Sequence, residues 1–135
     1  KEYYQKGCDL NYGEGCTSLG HVYYNGQLVK QDFFKANEYY RKACDLNNGN
    51  GCACLGDAYF RGLGVRQDFF SAKKFSQKAC DLNDGEGCTL LGILHFGGKG
   101  VKKDAKIAKQ YFGKGCDLKF QLGCEFYAKL SSMGY

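Results

Sequence analysis

Cysteine is the residue type here with both the number and the spacing to do chemistry. Nine occur in 135 residues, and eight of them fall into two series with a common step of 36: 8, 44, 80, 116 and 16, 52, 88, 124. The pairs Cys8/Cys16, Cys44/Cys52, Cys80/Cys88 and Cys116/Cys124 each flank a short, glycine-containing turn. Thiols at fixed spacing serve either metal binding or disulfide formation. Zinc sites usually show CxxC-like spacing with histidines nearby, whereas this chain has only His21 and His95, and neither is repeated. Pairing within each unit is the simpler solution, because partners on either side of a tight turn can face each other at bridging distance. Disulfides persist in oxidising compartments, which implies a secreted or periplasmic protein without a metal site or other cofactor. The ninth cysteine, Cys54, is a free-thiol candidate. It reads most simply as a small, partly buried filler, with a reactive thiol or an intermolecular bridge as the sharper alternatives.

The elements that must position these cysteines follow from the same period. Self-similarity at this interval marks a stacked repeat protein, and the chain divides into units of approximately 1–31, 32–67, 68–103 and 104–135 within a single repeat domain, 1–135. Asp32, Asp68 and Asp104 share one phase and read as helix N-caps. Behind them, Ala36, Tyr39, Ala43 and Leu46 form an amphipathic helical stripe, which the next unit repeats as Ala72, Phe75, Ala79 and Leu82. This is helix A. A turn such as Asn83-Asp-Gly85-Glu-Gly87 follows, its Asn and Gly suited to left-handed backbone angles. Helix B then carries Cys52, Leu55, Gly56 and Tyr59 on one face. Its recurrent glycines, Gly20, Gly56 and Gly92, imply close approach to the Ala-bearing face of helix A, since each costs about 1 kcal/mol relative to alanine. Leu28 stands where the other inter-unit loops have Gly64 and Gly100, so its turn is expected to differ. The first unit lacks its N-cap and first turn, which suggests a protein that continues upstream, and the last has an atypical turn, Phe120-Gln121-Leu122. The fold class expected is all-α: a right-handed α/α solenoid of disulfide-clamped helix pairs.

Composition narrows the partners. A net charge of +5 is modest for a nucleic-acid binder, which concentrates more charge on one patch, and no apolar stretch is long enough to insert in a membrane.

The unit x-Gly-Cys-x-x-Leu-Gly-x-x-Tyr, then Gly-x-Gly-Val-x-x-Asp, then Lys-Ala-Cys-Asp-Leu, resembles the Sel-one-like repeat, a helix-pair relative of the tetratricopeptide repeat. With two cysteines per unit the chain is similar to the secreted Helicobacter cysteine-rich protein family, over essentially its whole length. The resemblance implies disulfides Cys8–Cys16, Cys44–Cys52, Cys80–Cys88 and Cys116–Cys124 across helices A and B. It also implies two functions. Members bind penicillin-type compounds and hydrolyse them slowly, and they act as secreted interaction proteins that meet the host.

The residues divide those functions unequally. A serine β-lactamase needs a Ser-x-x-Lys box with Ser-Asp-Asn and Lys-Thr-Gly elements. This chain has Ser71-Ala72-Lys73-Lys74 and neither companion, so Ser71 reads as a helix-surface serine and no catalytic residue is assigned. Two polar columns recur: Lys6, Lys42, Lys78 and Lys114 read as a solvated edge, and Asp9, Asp45, Asp81 and Asp117 as acceptors from the next turn or the neighbouring repeat. The stronger expectation is a concave groove lined by A-helices that receives a protein or extended peptide. Its candidate residues are Tyr4, then Asn37, Tyr40 and Arg41, then Lys73, Ser76 and Gln77, then Lys109 and Phe112. Tyrosines there offer amphipathic contact area of the kind enriched at interfaces.

Overall fold

The computed structural model describes all of residues 1–135 and contains eight helices: α1 (Glu2–Asp9), α2 (Gly13–Asn25), α3 (Phe33–Asp45), α4 (Gly49–Arg61), α5 (Phe69–Asp81), α6 (Gly85–Gly97), α7 (Ala105–Asp117) and α8 (Gln121–Ser132). Odd-numbered helices are the A-helices of the sequence pattern, and even-numbered ones the B-helices. The local signals account for their limits. Asp32, Asp68 and Asp104 cap α3, α5 and α7 with side chains that accept from the backbone N–H of Lys35, Phe70 and Ser71, and Ile107. Asn48 and Asp84 do the same for Gly51 and Gly87 at the start of α4 and α6. Each satisfies an amide that has no partner inside its helix.

The A-to-B turns follow the sequence expectation in part: asparagine takes the left-handed angle, and glycine does not. After the A-helices the left-handed residue is Asn11, Asn47, Asn83 or Lys119, not a glycine. Gly51 and Gly87 lie inside the next helix, where a Cβ would fall 2.6 and 2.4 Å from the Cβ of Ala43 and Ala79. Those glycines let the two helices approach at the disulfide. Leu28, expected to change its loop, instead adopts φ 63°, matching Gly64 at 72° and Gly100 at 71°. The loop geometry is preserved, at the conformational cost of a leucine in a region that favours glycine.

The four disulfides are Cys8–Cys16, Cys44–Cys52, Cys80–Cys88 and Cys116–Cys124, each joining an A-helix to the B-helix that follows it, with Cα atoms 4.4–4.5 Å apart. Around them the core is repetitive. Leu19, Leu55 and Leu91 are fully buried, and Tyr23/Tyr39, Tyr59/Phe75 and His95/Tyr111 stack at 5.7, 5.7 and 5.4 Å. The glycines of the B-helices accept large side chains: a Cβ on Gly20 would fall 2.5 Å from the Tyr40 ring, and one on Gly92 would fall 2.6 Å from Phe112. At Gly56 the residue opposite is Ser76, and the nearest atom is its backbone nitrogen, 3.2 Å away.

Lys6 and Lys114 are exposed, as a solvated edge requires, but other members of the polar columns are engaged. The Lys78 ammonium donates to the Cys44 carbonyl of the preceding unit at 2.8 Å, so it ties repeats together instead of forming a solvated edge. Asp9 and Asp81 accept from Gln5 and Gln77, one turn earlier in the same helix, where an acceptor from the next turn or repeat was expected.

Along the stack, α2, α4, α6 and α8 pack on one another in turn, whereas α1, α3, α5 and α7 scarcely meet. The even row is therefore the short inner arc and the odd row the outer one. The expectation that A-helices line the groove is corrected: the B-helices do.

Candidate inner-face binding site

Each B-helix turns the same stripe inward, with spacing 4, 3 and 4: Glu14-Ser18-His21-Asn25, Asn50-Cys54-Asp57-Arg61, Glu86-Leu90-Ile93-Gly97 and Leu122-Phe126-Lys129-Met133. Residues so spaced share one helix face. Between α2 and α4 the stripes enclose a cleft of about 310 Å³, floored by Asn37, Tyr40 and Cys54 and edged by His21, Asp57 and Arg61. Glu86 reaches it from α6.

A hydrogen-bonded chain orders the cleft. The Tyr40 hydroxyl donates to His21 Nδ1 at 2.7 Å, which leaves the proton on Nε2 to be donated to Asn50 Oδ1 at 3.2 Å. The Cys54 thiol lies beside the Tyr40 hydroxyl and makes a long contact, 3.9 Å, to the same Asn50 oxygen. Arg61 pairs with Asp57 at 3.2 Å. Burial pushes the Cys54 thiol well above its ordinary range, and the negative charges of Glu86, Asp84 and Asp57 add to this. Burial likewise holds the Tyr40 phenol protonated. A thiol held protonated in this way fits a partly buried filler in the floor of the cleft. Glu86 is raised by burial, then by Asp84 and Asp57, and it has no ion-pair partner. A carboxylate so placed favours a cationic neighbour.

The predicted groove residues disperse. Tyr40, Phe112, Ser76 and Asn37 are buried, and Phe112 borders a second cavity, between α6 and α8. The two aromatics occupy the space above Gly20 and Gly92, Ser76 donates to the Lys73 carbonyl, and the Asn37 amide donates to the Leu63 carbonyl at 2.7 Å. Asn37 and Tyr40 nevertheless floor the cleft. Arg41 lies on the outer row over Tyr59 and Phe75, its centroid distances 5.8 and 5.5 Å. Gln77 is engaged with Asp81, Lys109 covers Tyr127 at 5.0 Å, Lys73 is half-buried, and Tyr4 sits against Tyr3 at the N-terminal end. These residues do not form one surface. His21, Asn50, Asp57, Arg61 and Glu86 were missed. Their signal was available: they occupy helix-B columns that change from unit to unit, beside columns such as Leu19/Leu55/Leu91 that do not.

Ser71 and Lys74 are engaged separately. The serine hydroxyl donates to Asp68 at 2.8 Å as part of the α5 cap, and the Lys74 ammonium lies 5.4 Å from the centre of the Phe75 ring. They form no nucleophile–base pair, and the penicillin-hydrolysis reading gains no support from them.

The family model that matches is the Sel1 repeat, at residues 1–12, 13–48, 51–84 and 85–120. Its full-length units begin with a B-helix and end with the next A-helix. Among solved structures, a Sel1 repeat protein from Oxalobacter formigenes is 28% identical with a TM-score of 0.89, over 98% of this chain and 54% of that one. A protective antigen present in uropathogenic Escherichia coli strains, displaying an SLR fold, is 26% identical with a TM-score of 0.89, over 98% and 28% of the two chains. Helicobacter pylori cysteine rich protein B is 44% identical with a TM-score of 0.70, over 92% and 89%. The chain thus spans about half the length of the first of these and less of the second. No curated protein sequence gives a significant match.

Proposed function

The chain belongs to the Sel1 repeat family, and we propose that it is a secreted scaffold whose inner face holds a segment of a partner protein. Stacked helix-pair repeats offer extended concave surfaces of this kind. The observation that carries the reading is the inner stripe itself: rigid B-helices repeat a constant core while the inward positions vary, and between α2 and α4 they surround a cleft with unsatisfied polar capacity. The Asn50 side chain is exposed, and its amide donors are free while its oxygen is occupied, so it can serve a peptide carbonyl. Four disulfides favour an oxidising compartment, and the description of the E. coli neighbour as a protective antigen supports contact with a host. A host-facing protein is thus the class of partner expected.

A photo-crosslinking residue placed at Asp57, on the inner row, or at Glu38, on the outer row, tests this in host extracellular fluid. Discrete adducts are expected from position 57 only, and they should disappear on Asn50→Ala with Arg61→Ala. Equal adducts from both rows, or adducts indifferent to those substitutions, would refute the inner face as the binding surface.

A further inference from the structure

The inner face has a second cavity, of about 390 Å³, between α6 and α8. It is built from the same columns as the first, two repeats on. His21 becomes Ile93, Tyr40 becomes Phe112, Cys54 becomes Phe126, Asp57 becomes Lys129 and Arg61 becomes Met133. The equivalent space between α4 and α6 is filled. Ser76 is too small to cover Gly56, and Leu90 closes over it with its Cδ2 3.5 Å from where a Cβ would lie, leaving Leu90 only 6% exposed. The groove therefore alternates: a polar cavity, a filled step, an apolar cavity.

Resting on the scaffold reading above, we propose that one extended partner segment is read at two points two repeats apart. A bulky apolar side chain enters the Ile93–Phe126–Leu130 cavity, and a lysine or arginine meets Glu86 in the His21–Asp57 cavity. The charges favour that occupant. Glu86 is a half-buried carboxylate without a cation, and Lys129 is the one charged residue at the apolar cavity, placed for an acidic side chain or carboxylate beside the anchor. A small apolar molecule would use the second cavity alone and would leave Glu86 unpaired. Adjacent packed helices lie about 10 Å apart, so the two cavities are separated by roughly 20 Å, which an extended chain spans in about six residues.

The test is selection of random displayed 16-residue peptides (roughly two and a half times the required reach) on the oxidised 135-residue protein. Selected sequences are then synthesised and their Kd measured by fluorescence anisotropy. The expected winners pair an aromatic or large aliphatic residue with a Lys or Arg about five to seven positions away. Peptide Phe→Ala should weaken binding by about 30-fold, as expected for an anchor in a pocket. Glu86→Gln should cost about tenfold against Lys- or Arg-bearing peptides, and nothing against their Gln versions. Winners that depend on the inner face but carry one determinant, or two at random separation, would overturn the two-point inference and leave the scaffold reading standing. Winners indifferent to both Glu86→Gln and Asn50→Ala with Arg61→Ala, or no winners, would overturn both.

Discussion

The three glycines of the B-helices make the packing argument quantitative. Gly20, Gly56 and Gly92 occupy one column, and a helix-interior Gly→Ala gains about 1 kcal/mol of propensity wherever the methyl fits. At Gly56 the added carbon meets the Ser76 nitrogen at 3.2 Å, the Ala72 carbonyl at 3.4 Å and Leu90 at 3.5 Å. That mild crowding offsets part of the gain, and Gly56→Ala should change stability by less than about 0.5 kcal/mol. At Gly92 the methyl falls 2.6 Å from two carbons of the Phe112 ring and 3.1 Å from the Ala108 carbonyl. Phe112 is buried, and the space open to its ring is the cavity between α6 and α8, so relieving the clash means displacing a packed aromatic from Ala108 and Phe126. Overpacking of this kind costs about 1–3 kcal/mol, and after the propensity gain Gly92→Ala should lose about 1–2 kcal/mol. Urea unfolding of the oxidised protein, followed by circular dichroism, reads this as a midpoint lowered by about 1 M. Introducing Phe112→Ser, which copies the middle repeat, should abolish the penalty of Gly92→Ala, giving a coupling of about 2 kcal/mol. Equal effects at Gly56 and Gly92, or a Gly92→Ala penalty that survives Phe112→Ser, would refute the account of these glycines as ring sockets.

Three further outcomes are expected. Cys54 should react with a neutral alkylating reagent at pH 8 at least about 100-fold more slowly than an exposed cysteine, and at the ordinary rate once urea unfolds the chain, because burial disfavours its thiolate. His95 has its pKa lowered, first by burial and then by Lys73, and its Nδ1 is buried without a partner. Below about pH 6.5 the unfolded state takes up that proton more readily, so stability should fall as pH drops from there through the lower folded value, and His95→Tyr, the residue at positions 23 and 59, should flatten that part of the profile. Replacing Cys80 and Cys88 together by alanine should lower stability by about 2.5 kcal/mol in the chain-entropy model, and full reduction, worth four such losses, should unfold the protein in a thermal melt.

What the sequence made legible is what is local. The 36-residue period, the Asp32, Asp68 and Asp104 caps and the disulfide pairs all depend on residues within one unit, and the structure has each of them. Which helix row faces inward was not legible, because both rows carry apolar stripes and the curvature depends on how units stack. Small residues such as Gly51, Ala53 and Gly56 in α4 suit close approach, while Tyr39, Phe75 and Tyr111 of the odd row stack on the preceding even helix. Tyr40 and Phe112 belong to the outer row, yet their rings lie over Gly20 and Gly92 and border the inner-face cavities from behind, a placement that needs the glycine beneath each ring to be seen. Leu28 misled for the converse reason: its loop is held by neighbours, such as the Asp32 N–H bonded to the Tyr23 carbonyl, more firmly than by its own preference.

The bridges also decide how the chain answers a pull on its ends. Each spans only eight positions of sequence with its Cα atoms about 4.5 Å apart, and none links one unit to another. Under tension the units are free to peel away one at a time, but the bridged segment is short-circuited and bears no load. About 28 of every 36 residues can then pay out, roughly 100 Å per unit. An oxidised chain tethered in moving fluid would lengthen in steps of that size, each ending in a small closed hairpin from which the helix pair can be rewound. A reducing agent would add about 30 Å to every step.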